Sequence, residues 1–179
     1  MLSKSNDPNA SLSEVRFEDS LNFSKHTSSW HYDSSWVRVD SSSGNRFYQM
    51  DSSQEYSPGF STLLDSIMQS RQDYLVLDVE VQNANPASDA SLVLSFSERD
   101  IVLFWQEKPF KFFVDSSGKG HLVNAIHFRD FNFTRNNPRF AFYLWNRNHE
   151  SFDIISMKLL VLKGNPLIYS MIEPIQKVD

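Results

Sequence analysis

Between Tyr74 and Gln82 the chain reads YLVLDVEVQ, in which Leu75, Leu77, Val79 and Val81 alternate with Val76, Asp78 and Glu80. A period of two puts the first set on one face of an extended strand and the second set on the other. Such a strand cannot bury its apolar face alone, so the chain must supply partners for it. Further runs of strand character follow. SLVLSFSE (91–98) sets Leu92, Leu94 and Phe96 on one side, and IVLFWQE (101–107) follows the break at Arg99-Asp100. KFFVD leads into the turn SSGKG, and HLVNAIHFRDFNF comes after it. Before Tyr74, strand signals fall at Val15-Arg16-Phe17, at Trp36–Val39 and at Arg46–Met50, the last two separated by the turn SSSGN. RFAFYLW (139–145) and SFDIISMKLLVL (151–162) read as two strands folded back on each other about the tip WNRNHES. Roughly nine or ten short strands at this spacing predict an all-β fold, an antiparallel β-sandwich.

Two of these segments invite finer readings. In RFAFYLW both alternating sets are apolar, which predicts a central strand covered on each side with Trp145 in the core. In the last strand, Asp153, Ile155, Met157, Leu159 and Val161 share one face by strict alternation. One short helix is expected within SPGFSTLLDSIMQS (57–70), where Leu63, Leu64, Ile67 and Met68 fall on one helical face. Ser61 would cap it, and Pro58 and Gly59 would stop the strand before it.

The Ser/Asn-rich residues 1–13 read as a disordered lead-in, 14–163 as the sandwich domain and 164–179 as an extended, Pro-interrupted tail. A length of 179 residues suits one domain able to bury a core without staples. No cysteine is present, which excludes disulfides, thiol nucleophiles and Cys-based zinc sites. A net charge of -5 argues against a nucleic-acid groove, which needs a basic patch. No apolar run approaches the roughly 20 residues of a membrane helix, and the first residues lack the apolar core of a signal peptide. The chain is thus expected to be cytosolic or a domain of a longer protein, without membrane insertion of its own.

Few constellations suggest catalysis. Asp78 and Glu80 stand two apart on one strand face, the arrangement of an ordinary wet face as well as of a carboxylate pair. None of the five histidines shows the i, i+4 helical spacing of a zinc site, and His121 and His127 are too far apart along one strand to share a metal. His31 and Asp33 could reach a metal from a loop. No Ser sits in a G-x-S-x-G elbow, and the 5 glycines form no phosphate loop. The expected class is therefore not an enzyme. Sequons occur at Asn9, Asn22 and Asn132.

Aromatic residues are the stronger signal, at 14% of the chain. Trp30, Tyr32 and Trp36 fall within seven residues of a Ser-rich loop. Trp105 ends a strand beside Gln106, Glu107 and Lys108, which can hydrogen-bond a polar ligand. Rings on a rigid β scaffold can stack on the apolar faces of sugars, and they can equally plug the ends of the sandwich.

Several features in order resemble one family: Phe17-Glu18 at the domain start, the Trp-containing loop, the SSSGN turn, YLVLDVEV, the strand with Trp105, YLWN, and a last strand opening Phe152-Asp153. The chain resembles the galactose-binding-like β-jelly-roll domains found as carbohydrate-binding modules and as appended domains of bacterial envelope proteins. The resemblance spans about residues 14–163. It implies a non-catalytic, glycan-binding accessory module of a larger protein, extracytoplasmic or in the cell envelope. On the same fold it also allows a structural or protein-interaction domain with a protein partner. Members of the family often hold a structural calcium ion between the first and last strands, for which the matching residues here are Glu18 and Asp153. Where members commonly carry two consecutive Asp, this chain has Asp153 followed by Ile154.

Overall fold

A computed structural model describes residues 14–23, 29–132 and 136–164. The expected lead-in and nearly all of the expected tail lie outside them, as does Asn9. The described chain forms eleven strands: β1 (Val15–Leu21), β2 (Trp30–His31), β3 (Val37–Val39), β4 (Arg46–Met50), β5 (Tyr56–Leu63), β6 (Tyr74–Gln82), β7 (Ser91–Glu98), β8 (Ile101–Pro109), β9 (Gly120–His127), β10 (Arg139–Trp145) and β11 (Phe152–Leu162).

All strand pairings among the described residues are antiparallel, and they make two sheets. The first runs β3-β4-β11-β6-β9, with β1 also on β11; the second runs β2-β5-β10-β7-β8. From β4 onward the chain changes sheet at each step except the β7–β8 hairpin. That path gives the orders β4-β11-β6-β9 and β5-β10-β7-β8, which is the jelly-roll topology. The all-β sandwich expected from the strand pattern and from the resemblance is therefore the fold.

The alternation at Tyr74–Gln82 works as its sequence dictates. Leu75, Leu77, Val79 and Val81 of β6 are buried and meet the inward residues of the second sheet. The other layer is largely phenylalanine: Phe60, Phe96, Phe140 and Phe142 contact one another at ring distances of 5.6 to 6.1 Å. Each such side chain withdrawn from water contributes about 1.5–3 kcal/mol, so this aromatic layer and the aliphatic face opposite it hold the two sheets together.

Four expectations are corrected. First, β10 and β11 are not a hairpin: β10 pairs with β5 and β7, and β11 with β1, β4 and β6. The segment WNRNHES is an arch carrying the chain from one sheet to the other. Second, residues 57–63 extend as part of β5, and only Leu64–Ser66 turn, as a 3-10 turn in place of the helix. Pro58 sits inside β5 at an irregularity in the pairing with β10, and there the Leu144 amide donates to Ser57 Oγ at 2.8 Å instead of to a strand carbonyl. Third, the register of β11 shifts between Ile154 and Ser156. This bulge breaks the alternation, so Phe152 and Ile154 are buried, then Met157, Leu159 and Val161, while Asp153 and Ile155 face out. Fourth, β10 is covered on one face only. Phe140, Phe142 and Leu144 are in the core, while Ala141, Tyr143 and Trp145 line the outer face half-buried. Among the described residues no helix is long and apolar enough to cross a membrane.

Candidate functional site

The outer face of the second sheet carries a trough. Its floor follows from register. Across the strands, Ser61, Ala141, Ser95 and Trp105 fall in one row, and Gly59, Tyr143, Val93 and Glu107 in the next. The small residues Ser61, Ala141 and Ser95 of the first row leave room that Trp105 walls off at the β8 end. Gly59 keeps the floor low there, since a Cβ would sit tightly, 3.2 Å from the Phe142 carbonyl oxygen and 3.3 Å from Tyr143 Cβ.

The wall at the β8 end is aromatic. Trp105 and Trp145 stand edge to face, 6.1 Å between ring centroids and 79° between planes. Val93 lies on β7 between them, facing outward by alternation with the core residues Leu92 and Leu94. It is nonetheless fully buried and stands apart from the core cluster, so the flanking rings cover it. Tyr56 and Tyr143 make a second edge-to-face pair at 5.6 Å. Trp105 remains 41% exposed and Tyr56 53%, which leaves ring surface open to a ligand. Tyr56, Trp105, Tyr143, Trp145 and Arg147 enclose a cleft of about 400 Å³. A neighbouring depression reaches His31 and Ser61 and shares Tyr56 and Tyr143, so the two are one trough. From β2 to β8 it crosses four strand spacings, roughly 19 Å.

Polar groups surround the rings. The Arg147 guanidinium lies over the Trp145 ring, 4.0 Å from its centroid, and pairs with the Glu107 carboxylate. Trp145 Nε1 donates to Glu55 Oε1 at 3.3 Å. The Glu55 carboxylate beside Tyr56 raises that phenol above its usual range. At the far end His31 Nε2 and Ser61 Oγ are 3.3 Å apart.

Asn146 holds this rim. Its side chain is buried in the arch, and Nδ2 donates to the carbonyls of Gln54 (3.0 Å) and Glu150 (2.9 Å) while Oδ1 accepts from the Glu150 amide. Its own amide donates to the Glu55 carbonyl at 2.8 Å. The loop bearing Glu55 and the arch bearing Arg147 are thereby fastened together.

Of the residues singled out from sequence, Trp105 is in the trough. Trp30 is not: it is 1% exposed and packs edge to face on Phe60 (5.2 Å) and Phe142 (5.4 Å), in the core. Tyr32 packs on Phe23 and Tyr48, and Trp36 leans on the core with Arg38 beside it. Both stand at the β2–β4 side, across the sheet from Trp105, so the four rings form no single site. Trp36 ends a 3-10 turn capped by Asp33, whose Oδ1 accepts from the Ser35 amide at 2.9 Å. Sequence reading missed Tyr56, Tyr143 and Trp145 as surface residues. The YLWN run held the signal, but whether its second face was wet could not be told from composition.

The expected calcium pair is not brought together. Glu18 lies opposite Leu160 on β11, seven residues from Asp153, which is roughly 23 Å along a strand. Glu18 pairs with Lys158 at 2.7 Å, and Asp153 accepts from Asn83 Nδ2 at 2.6 Å. The β11 bulge also turns Asp153 to the outer face. Among the described residues no three His, Asp or Glu cluster as a metal site. On the first sheet's outer face Asp78 takes His121 at 2.7 Å, and His31 bonds Ser61 rather than Asp33.

No family model matches the chain, and no curated protein does. Several solved structures are similar at low identity. The CBM22-1 xylan-binding domain of Paenibacillus barcinonensis Xyn10C aligns at 12% identity and a TM-score of 0.47, over 86% of this chain and 98% of that one. A xylan-binding module CBM15 aligns at 10% identity and 0.44, over 84% and 99%. A cyclase from Fischerella sp. TAU aligns at 13% identity and 0.45, over 79% and 80%.

Proposed function

We propose that this chain is a non-catalytic binding module that takes a glycan strand across the outer face of the β2-β5-β10-β7-β8 sheet. The observation that carries this reading is the exposed face of Trp105 beside Trp145, Tyr143 and Tyr56, over a floor of small residues. Rings fixed on strands offer flat apolar surface at little entropic cost, and the Glu55, Glu107 and His31 side chains can bond hydroxyls at the edges. The module belongs in a larger protein facing a glycan, outside the cytoplasm or at a cell envelope. A glycan array with the wild type and Trp105→Ala tests it. Binding that depends on Trp105 supports the reading; no binding, or binding indifferent to Trp105, Tyr56 and Trp145, removes it.

A second reading, a protein-interaction domain, has its own observation. Ile101 and Val102 open the edge strand β8 and are 65% and 59% exposed. Among the described residues no strand pairs with the outer side of β8, and such an edge with apolar side chains is a template for strand addition by a protein partner. Binding of a partner abolished by Val102→Lys but not by Trp105→Ala would favour this reading over the first.

A further inference from the structure

We propose that the trough selects an uncharged saccharide and turns away polyanionic ones, with Glu55, Glu107 and Arg147 as the residues that set this preference. The inference rests on the glycan reading above and names the class of glycan.

The cation nearest the rings is already engaged. Arg147 lies flat over Trp145 at 4.0 Å from the ring centroid, and its Nη2 donates to Glu107 Oε2. A guanidinium held between a ring face and a carboxylate is matched on both sides, so an incoming uronate or sulfate would have to displace Glu107 to reach it. Glu55 stands on the other side of Trp145. Its Oε1 accepts the indole N–H, and among the described residues no cationic side chain comes within ion-pair distance of it. The rim therefore sets two carboxylates against one guanidinium. The excess charge is negative where the edge of a stacked sugar would sit. Hydroxyl groups donate well to such carboxylates, whereas a second carboxylate meets like charge and finds no free donor pair. Discrimination here comes from repulsion built into the rim as much as from attraction.

Neutral and acidic versions of one backbone test this directly. Cellohexaose and its C6-oxidised uronate, methyl-esterified and free oligogalacturonate, and xylan without and with glucuronate side groups are titrated calorimetrically at low ionic strength. A neutral member should bind about tenfold or more tightly than its acidic counterpart, with the gap narrowing as salt screens the rim. Glu55→Gln and Glu107→Gln, each checked for an unchanged melt, should narrow the gap as well. Acidic members that bind as tightly as neutral ones, or a gap unmoved by both substitutions, overturn this inference while leaving the glycan reading standing. Absence of binding to every member by the wild type overturns both.

Discussion

Trp105 on β8 and Trp145 on β10 meet edge to face across β7, 6.1 Å apart, and together bury Val93 on a face that otherwise meets solvent. The pair is thus a surface feature with a preset shape. Trp105→Ala should weaken glycan binding by about tenfold or more, the equivalent of ~1.4 kcal/mol. Because Trp105 lies outside the core, the same change should lower the melting temperature by only a few degrees, about 1 kcal/mol. Titration calorimetry and a thermal melt on one variant check both halves. A large stability loss with unchanged binding would assign Trp105 to scaffolding.

Trp30 is expected to behave in the opposite way. It fills the space between Phe60 and Phe142, so Trp30→Ala leaves a cavity and should cost about 3–5 kcal/mol. At this chain length that is a fall of about 10 °C or more in melting temperature. Binding measured well below the melt should be nearly unchanged. Loss of binding by a variant that remains folded would contradict the separation of core and trough.

The two glycines with positive φ should differ in tolerance. At Gly118 (φ +79) a Cβ would come 2.8 Å from the Ala84 carbonyl oxygen, whereas at Gly44 (φ +73) it would meet nothing within 4 Å. Gly44→Ala should therefore cost only the left-handed strain, about 1 kcal/mol, and Gly118→Ala clearly more than that. Denaturant melts of the two variants give the comparison, and equal losses would mean that the Ala84 backbone yields freely.

Acid should loosen the turns before the sheets. The Ser42 hydroxyl and amide hold the Asp40 carboxyl down to about 2, and Ser35, Ser53 and Ser117 lower Asp33, Asp51 and Asp115 in the same way. A carboxyl whose folded pKa lies below its unfolded value of 3.8 contributes stability above that value and loses it as pH falls. For Asp40 the window runs from about 4 down to about 2. Melting temperature measured from pH 5 to pH 2 should fall, and Asp40→Asn should flatten part of the slope. An identical slope in that variant would remove Asp40 from the account.

Strand content was legible because burial on one face imposes a period of two, and Tyr74–Gln82 obeys it without exception. What sequence could not show is what interrupts that period. The bulge after Ile154 parts Asp153 and Ile155 from Met157, Leu159 and Val161, with which strict alternation groups them on one face. Helical spacing at Leu63, Leu64, Ile67 and Met68 was real, yet pairing of 57–63 with β10 outweighed it. A short polar tip serves a hairpin or an arch equally well, so the route from β10 to β11 stayed hidden. The trough was half visible. Trp105, beside the polar Gln106, Glu107 and Lys108, is a stacking candidate that does lie in the trough, while Trp30, set among polar neighbours and open to either reading, is turned inward by strand pairing with Phe60. Tyr56, Tyr143 and Trp145 come together only through the register of two strands, β5 and β10.

One asparagine has a consequence for how a guest would arrive. Asn146 fastens the segment carrying Glu55 to the arch carrying Arg147, so both sides of the rim are placed when the chain folds. An incoming strand then meets a finished seat, and ordering of loops takes no part in the encounter. Stopped-flow traces should accordingly show a single phase whose rate rises linearly with glycan concentration, without the plateau that a closing lid imposes.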